Sequence, residues 1–163
     1  MLEKLKPLKE VTDILSKVIM DSKSIWVDGK TNKTFTEEEF LERPVPQKDV
    51  AGTFSGVPIE GYESKLEECK ELLNAKQVTN RMYYPPNAML PWHTNSNLEG
   101  VRTYYTFSMD GGIFRYKDIK TGELVSIQDD IGWNVNQFKI PKGDLFWHTI
   151  WAKGRRFSFG FLS

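Results

Sequence analysis

The sequence contains a single cysteine, Cys69, in 163 residues. An intramolecular disulfide and a cluster of thiolate metal ligands are therefore both excluded. No apolar run approaches the roughly 20 residues that are needed to span a bilayer, and the N-terminus, MLEKLKPLKE, is too charged for a signal peptide. These absences predict a soluble protein of a reducing compartment, the cytoplasm, with no membrane partner.

The chain also lacks an excess of charge of either sign. Lysine and arginine together number 22, as do aspartate and glutamate. A balanced chain does not create the positive field that draws proteins to nucleic acids or anionic membranes. Aromatic residues make up 13% of the chain, which favours a β-rich domain or rings that stack on a ligand.

The first 76 residues predict helices joined by irregular chain. PLKEVTDILSKVIM has apolar residues at helical spacing, with Pro7 suited to the first turn. Thr36 and Glu39 form a capping box, which predicts a short helix after Thr36. RPVPQKDVAGTFSGVP predicts irregular surface chain. GYESKLEECKELLNAK predicts an amphipathic helix, whose apolar face comprises Tyr62, Leu66, Cys69, Leu72 and Leu73.

From residue 77 onward, short stretches rich in aromatic and β-branched residues alternate with turn signals. The stretches are QVTNRMYY, MLPWHTN, VRTYYTFSM, GIFRYKD, ELVSIQ, WNVNQFKI, DLFWHTIW and RRFSFGF. Strands that follow helices predict a mostly β, α+β fold with a double-stranded β-helix (jelly-roll or cupin-like) core over residues 77–163. We expect a single domain over residues 1–163, in which residues 1–76 cover one sheet or form a homodimer face.

The two histidines, His93 and His148, share a local pattern. Each follows a tryptophan, precedes a threonine and lies in a predicted strand. Because distant strands become neighbours in a jelly roll, both imidazoles could face one cavity and hold a divalent metal such as iron(II). Asn95, a weak neutral ligand, stands where a carboxylate ligand would be expected. The alternative is that both histidines pack in the core beside Trp92, Trp147 and Trp151.

The last predicted strand has two unlike faces. Alternation places Phe157, Phe159 and Phe161 on one face, and Arg156 and Ser158 on the other. A buried arginine requires an anion, and the sequence offers no obvious acidic partner nearby. We therefore expect Arg156 and Ser158 to bind a ligand carboxylate. The alternative for Arg156 is a surface salt bridge on an edge strand.

Together these residues resemble the signature of the iron(II)/2-oxoglutarate-dependent oxygenases. That signature combines His-x-Asp/Glu, a distant histidine and Arg-x-Ser on the last strand, and the resemblance covers about residues 85–163. The chain is most similar to the aspartyl/asparaginyl β-hydroxylase family, in which water can occupy the carboxylate position. The matching positions are His93, Asn97, Arg102, Gly143, Asp144, His148, Thr149, Ile150, Trp151 and Arg156.

The resemblance implies a dioxygenase that uses iron(II), 2-oxoglutarate and O₂ to hydroxylate an amino-acid side chain, a peptide or a small metabolite. Its implied catalytic residues are His93, His148 and Arg156. The two histidines would ligate iron, with Asn95 as a weak third ligand or water in its place. Arg156 and Ser158 would hold the distal carboxylate of 2-oxoglutarate.

Two further positions follow from the same resemblance. Arg102 would reach the other end of 2-oxoglutarate, and Tyr104 stands where the family often has a histidine. The tyrosine hydroxyl could replace that histidine as a hydrogen-bond donor. Arg155 would take the place of Arg156 only if a β-bulge shifted the register.

Two other functions remain open at this point. Asn95 and Tyr104 also suit a non-catalytic jelly-roll binding module with a degenerate metal site. A cupin-type isomerase is less favoured, because cupins usually carry His-x-His and a later glutamate in their first motif. Asn95 and Asn97 also suit turns, since asparagine favours loops.

Overall fold

Helices precede most of the strands in the described part of the chain. The computed structural model describes residues 2–28, 33–48, 56–94 and 99–163. The helices of this part are α1 (Lys9–Asp21), α2 (Lys23–Asp28), α3 (Glu37–Glu42) and α4 (Glu63–Leu72). Its strands are β1 (Leu2–Leu5), β2 (Val57–Pro58), β3 (Gln77–Tyr84), β4 (Met89–His93), β5 (Gly100–Ser108), β6 (Gly112–Lys117), β7 (Leu124–Asp129), β8 (Gly132–Ile140), β9 (His148–Ala152) and β10 (Arg156–Leu162).

The strands form two antiparallel sheets. The major sheet has the order β1-β8-β5-β10-β3-β2, and the minor sheet has the order β4-β9-β6-β7. Side chains from both sheets form one apolar cluster, to which Tyr84 and Phe138 contribute from the major sheet and Phe114 and Ile150 from the minor sheet. The sheets therefore face each other, and the predicted mostly β fold with a jelly-roll core is confirmed.

The helices pack on the outer face of the major sheet. Phe157, Phe159 and Phe161 of β10 are fully buried in a cluster that includes Val11 and Leu15 of α1. Because side chains alternate along a strand, the residues of β10 between these phenylalanines face the space between the two sheets. The last strand therefore has a phenylalanine face and an Arg156 face, as predicted.

Three described elements are absent from the predicted set. β1 pairs with β8, and β2 pairs with β3. α2 follows α1 directly, and its Trp26 donates a hydrogen bond from Nε1 to the carbonyl oxygen of Ile19 at 2.8 Å. These segments are short, and β1 (LEKL) places its two charged residues next to each other, without the alternation that marks a strand. Pairing with the rest of the fold, more than local propensity, determines their structure.

The local sequence signals for the helices agree with the structure in part. The capping box is present, with Glu39 N donating to Thr36 Oγ1 and Thr36 N to Glu39 Oε1, each at 3.1 Å. Cys69 is buried on α4 as predicted, but Leu72 is 39% exposed, so the predicted apolar face was too wide. Pro7 precedes the first helical residue, Lys9, because Leu8 is the N-cap. No described helix has the length and apolarity of a membrane span.

Candidate active site

The two histidines meet in the minor sheet. β4 and β9 are neighbours, and His93 lies directly opposite His148. Their ring centroids are 4.0 Å apart, with an angle of 57° between the ring planes. On the other side of His148, β6 places Tyr116 opposite it. The pairing of distant strands therefore brings the two imidazoles together, as the strand pattern predicted.

Both imidazoles are held by the same local hydrogen bond. The Nδ1 atom of His93 lies 2.7 Å from the carbonyl oxygen of Pro91, and that of His148 lies 2.8 Å from the carbonyl oxygen of Phe146. Because a carbonyl oxygen only accepts, Nδ1 carries the proton in each neutral ring and Nε2 keeps the lone pair. Metal-ligating histidines are commonly oriented by this kind of contact.

The environment of His148 favours its neutral form. The side chain is buried, with 4% of the residue exposed. Burial is the main reason that the pKa of His148 lies well below its ordinary value, and His93 and Arg102 act in the same direction. The hydrogen bond to Phe146 opposes them without reversing the shift. His148 is therefore neutral at pH 7, which is the form that can bind a metal.

Polar side chains lie on the inner face of the major sheet. In β5, residues 102, 104, 106 and 108 share a face, and the register with β10 places Arg156 opposite Ser108 and Ser158 opposite Thr106. Arg102, Arg156 and Ser158 are each at most 3% exposed. The basic and hydroxyl groups predicted from the sequence, Arg102, Arg156 and Ser158, are therefore all buried on the inner face of the major sheet.

Arg156 has an acidic partner, contrary to the expectation from the sequence. Its Nε atom donates to Oδ2 of Asp129 at 3.1 Å, and the two side chains are 3% and 1% exposed. The alternative of a surface salt bridge on an edge strand is also wrong, because β10 lies between β5 and β3. Asp129 ends β7, 27 residues before Arg156, and only the closure of the two sheets brings it close.

Arg155 does not replace Arg156. Its guanidinium carbon lies 4.9 Å from the ring centroid of Trp26, on the helical side of the sheet. The irregularity in the pairing of β10 with β3 falls between Gly160 and Phe161, far from this end of the strand. The register therefore selects Arg156 as the inward-facing cation.

The hydroxyl of Tyr104 is influenced by both inward-facing arginines, Arg102 and Arg156. Burial raises the pKa of its hydroxyl, and the guanidinium groups of Arg102 and Arg156 oppose that shift. The ring stacks on Phe138 at 5.6 Å. It also crosses Gly160, where a Cβ atom would lie 2.6 Å from Tyr104 Cε1. Tyr104 is therefore a buried polar residue on the inner face of the major sheet, packed between Phe138 and Gly160.

Several buried polar atoms of this interior have no hydrogen-bond partner among the described residues. They are Thr106 Oγ1, Asn136 Oδ1 and Asp129 Oδ1. Asn136 lies opposite Tyr104, and Thr106 lies opposite Ser158. Leaving such groups unsatisfied is costly, so this face fits a ligand rich in hydrogen-bonding atoms. Ser158 already accepts a hydrogen bond from Asn80 Nδ2 at 3.1 Å.

The donor set fits a divalent metal with two protein ligands. Two neutral imidazoles suit iron(II). In residues 2–28, 33–48, 56–94 and 99–163, no group of three or more His, Cys, Asp or Glu side chains is arranged to bind a metal. Asn95 and Asn97 lie outside the described residues, so the predicted weak third ligand stays a prediction.

The tryptophans beside the histidines belong to the core. Trp92, Trp147 and Trp151 are at most 8% exposed. Trp92 Nε1 donates to the carbonyl oxygen of Arg43 at 3.1 Å, and Trp151 Nε1 donates to that of Phe35 at 2.8 Å. These bonds fix the minor sheet against the segment that contains α3. The tryptophans therefore act as packing residues and do not form a surface on which a ligand could stack.

Comparison with known proteins gives a fold. No family model and no curated protein matches the sequence. A prolyl hydroxylase from Trichoplax adhaerens, solved in complex with a hypoxia inducible factor oxygen degradation domain peptide fragment, is 14% identical with a TM-score of 0.53, over 99% of this chain and 82% of that one. A prolyl-4-hydroxylase from Pseudomonas putida is 12% identical with a TM-score of 0.49, over 99% and 86% of the chains. The chain is similar in fold to the Trichoplax prolyl hydroxylase.

Proposed function

We propose that this chain is an iron(II)/2-oxoglutarate-dependent dioxygenase that hydroxylates an amino-acid side chain, a peptide or a small metabolite. The observation that carries the proposal is the pair His93 and His148, the only histidines of the chain, with ring centroids 4.0 Å apart. Their Nδ1 atoms both lie within hydrogen-bond distance of a carbonyl oxygen, which is how metal-ligating histidines are commonly oriented, with Nε2 as the ring nitrogen that would bind the metal.

His93 and His148 would hold the iron, with Asn95 or water beside them. When bound, iron(II) supplies the chemistry that couples decarboxylation of 2-oxoglutarate with O₂ to insertion of oxygen into a C–H bond. The chain orients both imidazoles through their Nδ1 atoms and keeps His148 neutral. Burial of His148 also excludes water from the side of the pair that faces the core.

The inward-facing basic groups would bind the carboxylates of 2-oxoglutarate. Arg156 uses Nε for Asp129, which leaves its terminal nitrogens to meet the distal carboxylate, beside Ser158. Arg102 acts electrostatically on both His148 and Tyr104, which supports a role for it near the iron. It would bind the other end of the cosubstrate, with the Tyr104 hydroxyl as an additional donor.

The nature of the substrate rests on two weaker likenesses. The motif resemblance to aspartyl/asparaginyl β-hydroxylases favours a residue side chain. The Trichoplax prolyl hydroxylase of similar fold was solved with a peptide bound, which favours the same class. A peptide side chain is therefore the substrate to try first.

Turnover of 2-oxoglutarate tests the proposal. Purified protein supplied with iron(II), ascorbate, O₂ and 2-oxoglutarate should form succinate, and more of it when a suitable substrate is present. His93→Ala and His148→Ala should each abolish succinate formation. Tyr116→Phe is the matched control, because Tyr116 lies opposite His148 but carries no proposed role. Succinate formation that persists in both histidine variants would exclude this function.

The Asp129–Arg156 bridge favours a second candidate, a binding module whose metal chemistry has been lost. In that case Asp129, and not a cosubstrate, is the anion that Arg156 meets. Such a module should bind its ligand without iron and should keep that binding when both histidines are replaced. Ligand binding that requires iron(II) and either histidine would exclude the module.

A further inference from the structure

The proposed function does not require the buried ion pair of Asp129 and Arg156, and the hydrogen bonding of this pair is incomplete. One hydrogen bond joins them, from Arg156 Nε to Asp129 Oδ2 at 3.1 Å. Ser108 Oγ donates to the same oxygen at 3.5 Å. The other oxygen, Asp129 Oδ1, is buried and has no hydrogen-bond partner among the described residues. The pair is therefore not the two-bond fork by which arginine and carboxylate usually satisfy each other.

The single bond leaves one edge of the guanidinium for a second anion. Asp129 occupies Nε, and neither terminal nitrogen of Arg156 forms a hydrogen bond to a residue of the described ranges. Those two nitrogens present parallel donors in the geometry that binds a carboxylate. The Tyr84 ring, 6.0 Å from the guanidinium carbon, limits where the side chain can move. Arg156 can thus contact a ligand carboxylate while it keeps Asp129.

Two carboxylates on one buried guanidinium repel each other. Their single shared cation cannot neutralise both, and a site from which water is excluded screens the repulsion little. Asp129 is 1% exposed and Arg156 is 3% exposed as side chains. The carboxylate of Asp129 therefore opposes binding of an anionic ligand end at Arg156, whereas it has little effect on a neutral ligand end.

We infer that Asp129 is a specificity-determining residue that acts through Arg156. It offsets the charge of the arginine and so reduces the preference of the site for a 2-oxo acid with a distal carboxylate. The inference rests on the proposed function, in which Arg156 faces the distal end of 2-oxoglutarate. It predicts that the site accepts 2-oxo acids whose distal end is uncharged nearly as well.

Asp129→Asn tests the inference because it removes the charge and keeps an oxygen that can accept from Arg156 Nε. Binding is measured by anaerobic calorimetric titration with iron(II) present, using 2-oxoglutarate and 2-oxopentanoate, in which a methyl group replaces the distal carboxylate. The variant should bind 2-oxoglutarate at least about tenfold more tightly than the wild type does. Its affinity for 2-oxopentanoate should stay within about twofold, since no charge meets that end.

A purely structural role for Asp129 would weaken both ligands alike, so a selective gain identifies the electrostatic role. Binding of 2-oxoglutarate that is equal or weaker in Asp129→Asn would overturn the inference. Should that variant fail to fold, the wild type decides. A preference for 2-oxoglutarate over 2-oxopentanoate below about tenfold agrees with an offset Arg156, and a larger preference contradicts it.

The same titration separates this inference from the proposed function. If wild-type protein with iron(II) binds neither 2-oxo acid, the proposed function fails and the inference fails with it. If wild-type protein binds 2-oxoglutarate and Asp129→Asn gains nothing, the inference alone fails. Asp130→Asn is the matched control, because Asp130 is exposed and lies next to Asp129 in the chain.

Discussion

At the scale of single residues, the same side-chain to backbone hydrogen bond occurs at both histidines. Each Nδ1 donates to the carbonyl oxygen two residues earlier, and each histidine lies at one end of its strand. Because β4 and β9 are adjacent and antiparallel, the two histidines lie directly opposite each other. The repeated Trp-His-Thr pattern thus coincides with the same side-chain hydrogen bond at both histidines, whose ring centroids lie 4.0 Å apart.

Gly160 keeps the space that the Tyr104 ring occupies. A Cβ atom at position 160 would lie 2.6 Å from Tyr104 Cε1 and 3.0 Å from Asn80 Cβ. Gly160→Ala should therefore lower the free energy of unfolding by about 1–3 kcal/mol, the usual cost of overpacking. Urea unfolding of the single variant measures this effect.

The double variant Gly160→Ala/Tyr104→Leu is its control, since a smaller side chain at 104 removes the shortest of the contacts, although Thr79 Oγ1 would still lie 2.8 Å from the methyl group. The two substitutions should be coupled, with the double variant more stable than the sum of the single effects predicts. Additive effects would show that the Tyr104 ring is not what limits position 160.

Single residues also mark where prediction from the sequence ends. His93 and His148 could be selected because they are scarce and share a pattern, and Arg156 because alternation along one strand is a local property. Asp129 could not be selected, because its contact with Arg156 depends on how two sheets close over each other. Strand periodicity indicates which face a side chain takes, but it does not indicate which distant side chain it meets.

At the scale of elements, α3 connects the N-terminal segment to the minor sheet. Phe40 of α3 is fully buried, and its ring stacks on Trp151 at 6.5 Å. Arg115 Nη1 donates to the carbonyl oxygen of Leu41 near the end of the helix, at 2.9 Å. A six-residue helix has little stability of its own, so its cap and these contacts determine whether it forms.

Thr36→Ala should therefore be measurable despite its exposed position. Loss of the hydrogen bond from Glu39 N to Thr36 Oγ1 should cost about 1 kcal/mol of unfolding free energy. Glu38→Ala is the control, because it lies in the same exposed first turn outside the capping box, and it should cost only a few tenths of that amount. Equal effects from the two variants, measured by denaturant unfolding, would contradict a specific role for the box.

The elements differ in how far their sequences predict them. The eight strands β3–β10 follow from alternating, β-branched stretches between turn residues, although β9 begins only at His148. The residues before it are aromatic and buried, as Phe146 and Trp147 show, and so resemble a strand in composition. β1, β2 and α2 depend on partners elsewhere in the fold, and no local pattern identifies them.

At the scale of the whole molecule, α1, α2 and α4 share one apolar cluster with the major sheet. Phe159 is fully buried in it, together with Leu15 of α1 and Leu66 of α4. We propose that residues 1–163 form one cooperative unit, because removal of the helical layer would expose the phenylalanine face of β10. Tryptophan fluorescence and circular dichroism should therefore report a single, coincident unfolding transition.

Phe159→Ala should destabilise this whole unit. Loss of a fully buried phenylalanine typically costs about 3–5 kcal/mol, and the transitions seen by both probes should shift together. Phe159→Leu is the graded control, and it should cost less because it leaves a smaller cavity. A transition seen by circular dichroism that stays in place while the fluorescence transition shifts would show that the helices unfold separately.

The central claim is that His93 and His148 form a metal site that also binds 2-oxoglutarate. Anaerobic addition of iron(II) and 2-oxoglutarate to the protein tests it most directly, because a weak visible charge-transfer band arises only when both bind at one site. The band should appear in the wild type and in Tyr116→Phe, and it should be lost in His93→Ala and His148→Ala. Absence of the band from the wild type, or an unchanged band in either histidine variant, would contradict the claim.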